Sequence, residues 1–290
     1  MKITGFTFIR NALKYDYPIL EAIQSILPIC DAFVVAVGNS DDDTLKWIQS
    51  IDNQKITIIE TIWDDSLRVG GRVLAAETDK AFQAISADTD WAIYIQGDEV
   101  IHEKYLSVLH ENMKRYLNDR SVDGLLLNYV HFYGSYDYVG ASSGWYDREI
   151  RVIRNDKNIY SYKDAQGFRK YNDKKLSVKP VEAFVYHYGW VKPPKAMQQK
   201  QENFGKYWHD DEWMNKNVVK TTEFDYASNV HALALFTGTH PAVMAQRIQT
   251  KNWKFDYDIA FNRTTFKEKC KTFCKRYLGL DFNHKNYKIV

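Results

Sequence analysis

The stretch Asp90-Trp91-Ala92-Ile93-Tyr94-Ile95-Gln96-Gly97-Asp98-Glu99 decides the architecture. Trp91 to Ile95 is an unbroken apolar run, as expected of a strand covered on both faces. It stops at a Gly-containing turn and delivers two consecutive carboxylates. The same unit stands three times upstream. Ile3 to Ile9 ends in Arg10-Asn11 and leads to a helical stripe of Ile19, Leu20, Ile23, Ile26 and Leu27, with Asp16 as the expected N-cap. Phe33 to Val37 ends in Gly38-Asn39-Ser40, and Asp41, Asp42 and Asp43 open a helix holding Leu45, Trp47 and Ile48. Lys55 to Ile62 is the third strand; Gly70-Gly71 breaks the chain before a helix over Arg72 to Ile85. Downstream, Tyr105, Leu106, Leu109, Met113, Tyr116 and Leu117 form one more helical stripe. This alternation predicts an α/β fold with a mixed, mainly parallel sheet and helices on both faces. Ligands of such sheets bind outside the carboxyl ends of the strands. The rule selects Arg10-Asn11, Asn39 to Asp43, Trp63 to Arg72 and Gln96 to Glu99.

Beyond residue 121 the pattern changes. Val122 to Phe132 and Glu149 to Ile153 read as strands, the aromatic Tyr133 to Tyr146 as a loop, and Lys157 to Lys175 as polar and irregular. Val178 to Tyr188 is a strand leading into His187-Tyr188-Gly189-Trp190. Pro193-Pro194 starts a helical region to about Asn217. The tail from Arg263 to Val290 carries eight Lys/Arg against two Asp/Glu. No repeat or low-complexity tract interrupts the chain.

With a net charge of +2 over 290 residues, the chain lacks the basic excess of a nucleic-acid binder. Its three cysteines, Cys30, Cys270 and Cys274, form no disulfide framework, and the pair one helical turn apart has no His partners for zinc. A reducing, cytoplasmic setting fits them. Met1 to Gly5 enters a strand directly, with no apolar segment of the kind a signal peptide needs. No window approaches a membrane span. The 20 Tyr, 15 Phe and 8 Trp suit a large core, a sugar-stacking groove or both.

The acidic strand end is the centre of the expected chemistry. Mg²⁺ or Mn²⁺ takes one or two carboxylates plus substrate phosphates, and such an ion would neutralise a diphosphate leaving group. The plain structural alternative is that Asp98 or Glu99 only caps the next helix.

Phe8-Ile9-Arg10-Asn11, Val37-Gly38-Asn39-Ser40-Asp41-Asp42, Gly70-Gly71-Arg72 and Gln96-Gly97-Asp98-Glu99, in that order, resemble the motifs of GT-A glycosyltransferases of family 2. The resemblance covers residues 1 to about 192. It implies a catalytic domain over 1–192, with a nucleotide-sugar half at 1–120 and an acceptor half at 121–192; the pattern after Pro193-Pro194 predicts a mainly helical extension over 193–290. The resemblance implies that Arg10, Asn11, Asn39, Asp41, Arg72, Gln96 and Asp98 hold the nucleotide sugar and that Asp98 and His187 hold the metal. The first acid of the family motif is Gln96 here, a variant similar to Gln-x-Asp-Glu proteins of bacterial family-2 type. Gln brings no charge, which weakens the expected grip on Mn²⁺ or Mg²⁺.

An inverting transferase needs a general base for the acceptor hydroxyl. The resemblance points to a carboxylate between the acceptor loop and the last His: Asp164 first, then Glu149 and Asp147. Arg72, and after it Arg68, could pair with the diphosphate. Trp145 and Tyr146 are candidates for the acceptor wall, as are Tyr133 to Tyr138. In the tail, Phe266, Cys270, Phe273, Cys274, Tyr277 and Leu278 share a helical face with Lys267, Lys271 and Lys275 interspersed. That face suits either packing on the domain or peripheral contact with an anionic membrane. The expected partners are a nucleoside-diphosphate sugar and a glycan or lipid-linked acceptor. A nucleotidyltransferase, or a sugar-binding protein without catalysis, is the alternative. No Gly-x-Gly-x-x-Gly follows the first strand, against a dehydrogenase.

Overall fold

Four parallel strands carry the site: β1 (Ile3–Ile9), β2 (Ala32–Gly38), β3 (Ile56–Thr61) and β4 (Trp91–Tyr94), in spatial order β3-β2-β1-β4. The computed structural model describes residues 1–217, 221–266, 268, 270, 271 and 285–290. Helices α1 (Ile19–Ile26), α2 (Thr44–Gln49) and α3 (Arg72–Gln83) connect these strands. Successive strand residues face opposite sides, and both sides are covered. Phe33, Val35, Val37, Trp91 and Ile93 pack against Ile19, Ile23 and Ile26 of α1 and Ile48 of α2. Val34, Ala36, Ala92 and Tyr94 face the other way, onto Val73, Leu74, Ala81 and Phe82 of α3. This two-sided burial is why the strands read as continuous apolar runs.

The chain then passes through β5 (Glu99–Ile101) and α4 (Leu106–Arg115), whose Leu109 and Met113 join the α1 side of the core. β6 (Gly124–Tyr133), β7 (Ser135–Gly140) and β8 (Arg148–Arg154) extend the sheet, with β8 antiparallel between β4 and β6. β9 (Ile159–Tyr162), β10 (Gly167–Lys170) and β11 (Lys174–Lys175) make a small separate antiparallel sheet. β12 (Ser177–Trp190) runs parallel to β6 and antiparallel to β5. Helices α5 (Pro194–Phe204), α6 (Asp211–Asn217) and α7 (Ala245–Gln249) follow, and β13 (Leu233–Leu235) and β14 (Lys288–Ile289) pair with β7 and β12. The result is the mixed α/β sheet, helices on both faces, that the sequence predicts.

Four expectations differ. Tyr133 to Tyr146 is not all loop. Gly134, at φ +71°, turns the chain into β7, whose Tyr136 and Tyr138 are buried. The polar stretch before β12 forms strands, because Tyr171, Asn172 and Asp173 adopt positive φ and close the β10–β11 turn. Asp16 does not cap α1: Pro18 takes that place, and the Asp16 carboxylate pairs with Arg247 at 2.5 Å. Among the described residues after 192, helix is not the main element. The helices there are short and broken at Gly205, and β13 and β14 belong to the main sheet. Of the amphipathic tail, Lys267, Phe273, Cys274, Lys275, Tyr277 and Leu278 lie outside the described residues. Among the described residues no helix is long and apolar enough to cross a membrane.

Candidate active site

From β1 the chain moves one way to β2 and β3 and then returns to β4 on the other side of β1. Side-by-side strands whose connections diverge leave a crevice at their carboxyl ends. A cavity of about 460 Å³ lies there. Ile9 and Arg10 line it from the end of β1, Trp63 from beyond β3, and Gln96, Gly97 and Asp98 from beyond β4. The opposite wall comes from His187 and Trp190 of β12, Lys200 and Phe204 of α5, and Tyr207.

Asp98 and Glu99 have opposite fates. Asp98 faces the cavity, and its Oδ2 lies 3.3 Å from the Lys200 ammonium. His187 Nε2 lies 3.8 Å from Oδ1. Burial alone would raise the Asp98 carboxyl, but Lys200, His187 and Lys192 outweigh it and hold it down at about 2. Glu99 points inward and is fully buried. Arg151 donates to it from Nε at 2.8 Å and Nη2 at 2.7 Å, Tyr129 from its hydroxyl at 2.7 Å, and the Gln96 amide from the backbone at 3.1 Å. Such a bidentate, saturated carboxylate serves the fold.

His187 Nδ1 meets His131 Nδ1 at 3.0 Å, and His131 Nε2 donates to the Tyr146 carbonyl at 2.7 Å. Burial lowers both imidazoles, His131 to about 3. Trp145 stacks on His131 at 4.9 Å and fills the space over Gly140. It does not line the cavity, whereas Tyr146 does. Gly189 lets the strand pass close to the acid. A Cβ there would stand 2.5 Å from His187 Nε2 and 2.7 Å from Asp98 Oδ2.

Asp164 lines the same cavity between two residues at positive φ, Lys163 and Ala165. Burial raises its carboxyl. Gly71, at φ +69°, abuts it at the start of α3: a Cβ there would lie 2.5 Å from that of Asp164. Gln96 donates from Nε2 to the Ala165 carbonyl at 3.1 Å, so it anchors the Asp164 loop. Glu149 is buried on β8, outside the cavity, with Oε2 lacking a partner. Burial pushes it up to about 8 against the pull of Arg151. Asp147 is exposed just before β8.

The other strand-end residues divide. Arg10 reaches the cavity; its Nε donates to the Asn39 carbonyl at 2.8 Å, its Nη1 pairs with Asp65 at 2.8 Å, and its guanidinium lies 5.4 Å over Trp63. Asn11 is buried at φ +55° and ties two loops together, accepting from the Asp41 amide at 2.7 Å. Asn39 accepts from the Trp63 amide at 3.2 Å, and Asp41 pairs with Lys14 at 3.1 Å; both are exposed. Arg72 is exposed at the first turn of α3, and Arg68 pairs with Asp211 at 2.9 Å; neither lines the cavity.

Four residues of the site escape sequence reasoning: Lys200, Lys192, His131 and Tyr207. Lys200 sits on the buried side of α5, with its ammonium 5.1 Å from the Tyr17 ring and 5.3 Å from that of Phe204, four residues on. Lys192 is fully buried and donates to the carbonyls of Tyr15 at 2.9 Å and Asp16 at 3.0 Å. Burial, with Lys200 nearby, pushes it down to about 7. An ion pair cannot be read from a polar helix. A lone Lys before Pro193-Pro194, following an aromatic strand end, was the one available signal.

No protein-family model matches the chain, and no curated protein matches it. Among solved structures it is similar to S. aureus TarS, at 14% identity and TM-score 0.40 over 70% of this chain; it spans 38% of the TarS chain. It is also similar to TarS 1–349 in complex with UDP-GlcNAc, at 13% identity and TM-score 0.41, covering 77% of this chain and 68% of that one. A third is glucosyl-3-phosphoglycerate synthase from Mycobacterium tuberculosis, solved with Mn²⁺, UDP-glucose and phosphoglyceric acid. There the identity is 17% and the TM-score 0.30, over 45% of this chain and 44% of that one. With TM-scores this low, the functional reading rests on the site itself.

Proposed function

We propose that the cavity is the donor site of a GT-A glycosyltransferase. It moves a sugar, with inversion, from a nucleoside-diphosphate sugar to a hydroxyl of a glycan or lipid-linked acceptor. One observation carries this reading: Asp98, Gln96, Arg10 and Lys200 meet in one crevice at the strand switch point. Trp63 and Tyr207, with ring centroids 5.6 Å apart, form the aromatic wall for a nucleobase. Asp98 and Lys200 mark the diphosphate end. Tyr146 and Trp190 form the acceptor wall.

Asp164 is the proposed general base. Burial raises its carboxyl and so makes it a better proton acceptor. It takes the proton of the acceptor hydroxyl as that oxygen bonds to the anomeric carbon. The bond from this carbon to the diphosphate oxygen breaks on the opposite side, and the diphosphate leaves with the electron pair.

Enzymes of the resembling family imply Mn²⁺ or Mg²⁺ at Asp98 and His187. Hard cations gather several oxygen ligands. Here Glu99 is committed to Arg151, Gln96 to the Ala165 carbonyl, and the Lys200 ammonium already contacts Asp98. Among the described residues no group of three or more His, Cys, Asp or Glu side chains is placed to hold a metal ion. This donor set does not fit a resident divalent ion.

Calorimetric titration with UDP, GDP, CDP and dTDP tests the reading, followed by assay of sugar-nucleotide hydrolysis. One of the four is expected to bind. Asp164→Asn is expected to keep that affinity while kcat falls about 10²- to 10⁴-fold. Binding of none of the four sinks the reading. Binding without turnover of any sugar nucleotide favours a non-catalytic binding protein.

A further inference from the structure

We propose that Lys200 is the built-in cation of the diphosphate seat, standing where a divalent ion would otherwise be held, so that the nucleoside diphosphate binds without metal. This rests on the nucleotide-sugar reading of the cavity. The geometry is that of a fixed charge. The Lys200 ammonium donates to Asp98 Oδ2 at 3.3 Å and to the Gly189 carbonyl at 3.1 Å. An ammonium has three donors, which leaves one for a ligand in the cavity that Lys200 lines. The rings of Tyr17 and Phe204 lie 5.1 Å and 5.3 Å from its ammonium.

The charge balance points the same way. Behind Lys200, Lys192 approaches the Tyr17 ring from 4.4 Å. Lys200 lines the cavity and contacts Asp98, whereas the other cavity carboxylate, Asp164, abuts Gly71 at the start of α3. Glu99 adds no charge to the seat, because Arg151 neutralises it within the core. With the Lys200 ammonium set on Asp98, that end of the cavity offers a cation to a phosphate anion, and a second cation placed on Asp98 would meet the repulsion of Lys200. α5 supplies this cation as part of the cavity wall, between Pro193-Pro194 and Gly205.

The test is calorimetric titration of the full chain with UDP, GDP, CDP and dTDP, each in excess EDTA and again in excess Mn²⁺. The affinity for the nucleotide that binds is expected to agree within about threefold between the two conditions. Lys200→Met is expected to weaken it by at least about 30-fold, and Lys200→Arg to retain most of it. The wild-type comparison decides the matter even where Lys200→Met does not fold. A nucleotide that binds only with Mn²⁺ overturns the role of Lys200 and leaves the transferase reading standing. Failure to bind any of the four in either condition overturns the transferase reading, and this inference with it.

Discussion

The strand-end wall of the cavity is tied to the core by a buried ion pair and to its own loops by hydrogen bonds, whereas the wall from β12 and α5 is tied by two lysine ammoniums. On the first, Glu99 accepts from Arg151, Tyr129 and the Gln96 amide, and the Asn11 and Arg10 side chains stitch the β1 and β2 loops together. On the second, Lys200 reaches Asp98 and the Gly189 carbonyl, and Lys192 reaches the carbonyls of Tyr15 and Asp16. The difference separates two kinds of failure. Damage to the buried ties behind the strand-end wall costs stability. Damage to the α5 wall costs ligand binding.

The largest expected effect breaks the first wall. Arg151→Met leaves Glu99 buried and unpaired, and urea unfolding should show a loss of about 3–5 kcal/mol. A variant as stable as wild type would remove the distinction between the walls. Next comes Glu149→Gln, which sharpens it by touching the β8 side without entering the cavity. The Glu149 carboxyl is raised from 4.5 to about 8, chiefly by burial. Between those values the folded chain keeps a proton that the unfolded chain has lost, so stability falls as pH rises across that window. The amide cannot ionise. Thermal melts should therefore show Glu149→Gln matching wild type at acid pH and exceeding it, by roughly a few kcal/mol, at pH above about 8. The smallest effect is at Trp145. Trp145→Leu removes a ring stacked on His131 from behind the cavity. It should cost about 1 kcal/mol in denaturant unfolding and leave the acceptor KM unchanged. A raised KM there would mean that the acceptor wall extends further than the lining residues.

The β1 to β4 half was legible because local pattern determines it. Strands covered on both faces must be apolar throughout, and the polar break at Gln96-Gly97-Asp98 marks where the crevice opens. The strands β7, β9, β10 and β11 were not legible. Aromatic residues on β7 and polar residues on β9 to β11 pack at margins of the fold, where periodicity is weak, and their turns depend on positive φ at Gly134 and at Tyr171 to Asp173. Asp98 and Glu99 looked like one acidic pair. Asp98 lies in the turn after β4 and Glu99 is the first residue of β5, so the two side chains part where the turn meets the strand. Lys200 was invisible for a different reason. It stands 102 positions from Asp98, on a helix whose polar residues carry no spacing signal, and only the return of β12 across the sheet brings the two together. His131 was hidden likewise, a single imidazole within the apolar run of β6.

The imidazole pair fixes the polarity of the hydrogen bond His187 can offer. A carbonyl only accepts, so His131 must carry its hydrogen on Nε2, facing Tyr146. With that ring neutral, its Nδ1 is a bare acceptor, and His187 must be the donor at the 3.0 Å contact between the two rings. The Nε2 of neutral His187, beside Asp98, is then a lone pair. A ligand atom that meets it must bring its own hydrogen. A sugar hydroxyl meets that requirement and a phosphate oxygen does not, so the two ends of a bound donor are told apart by which partner, His187 or Lys200, each can satisfy.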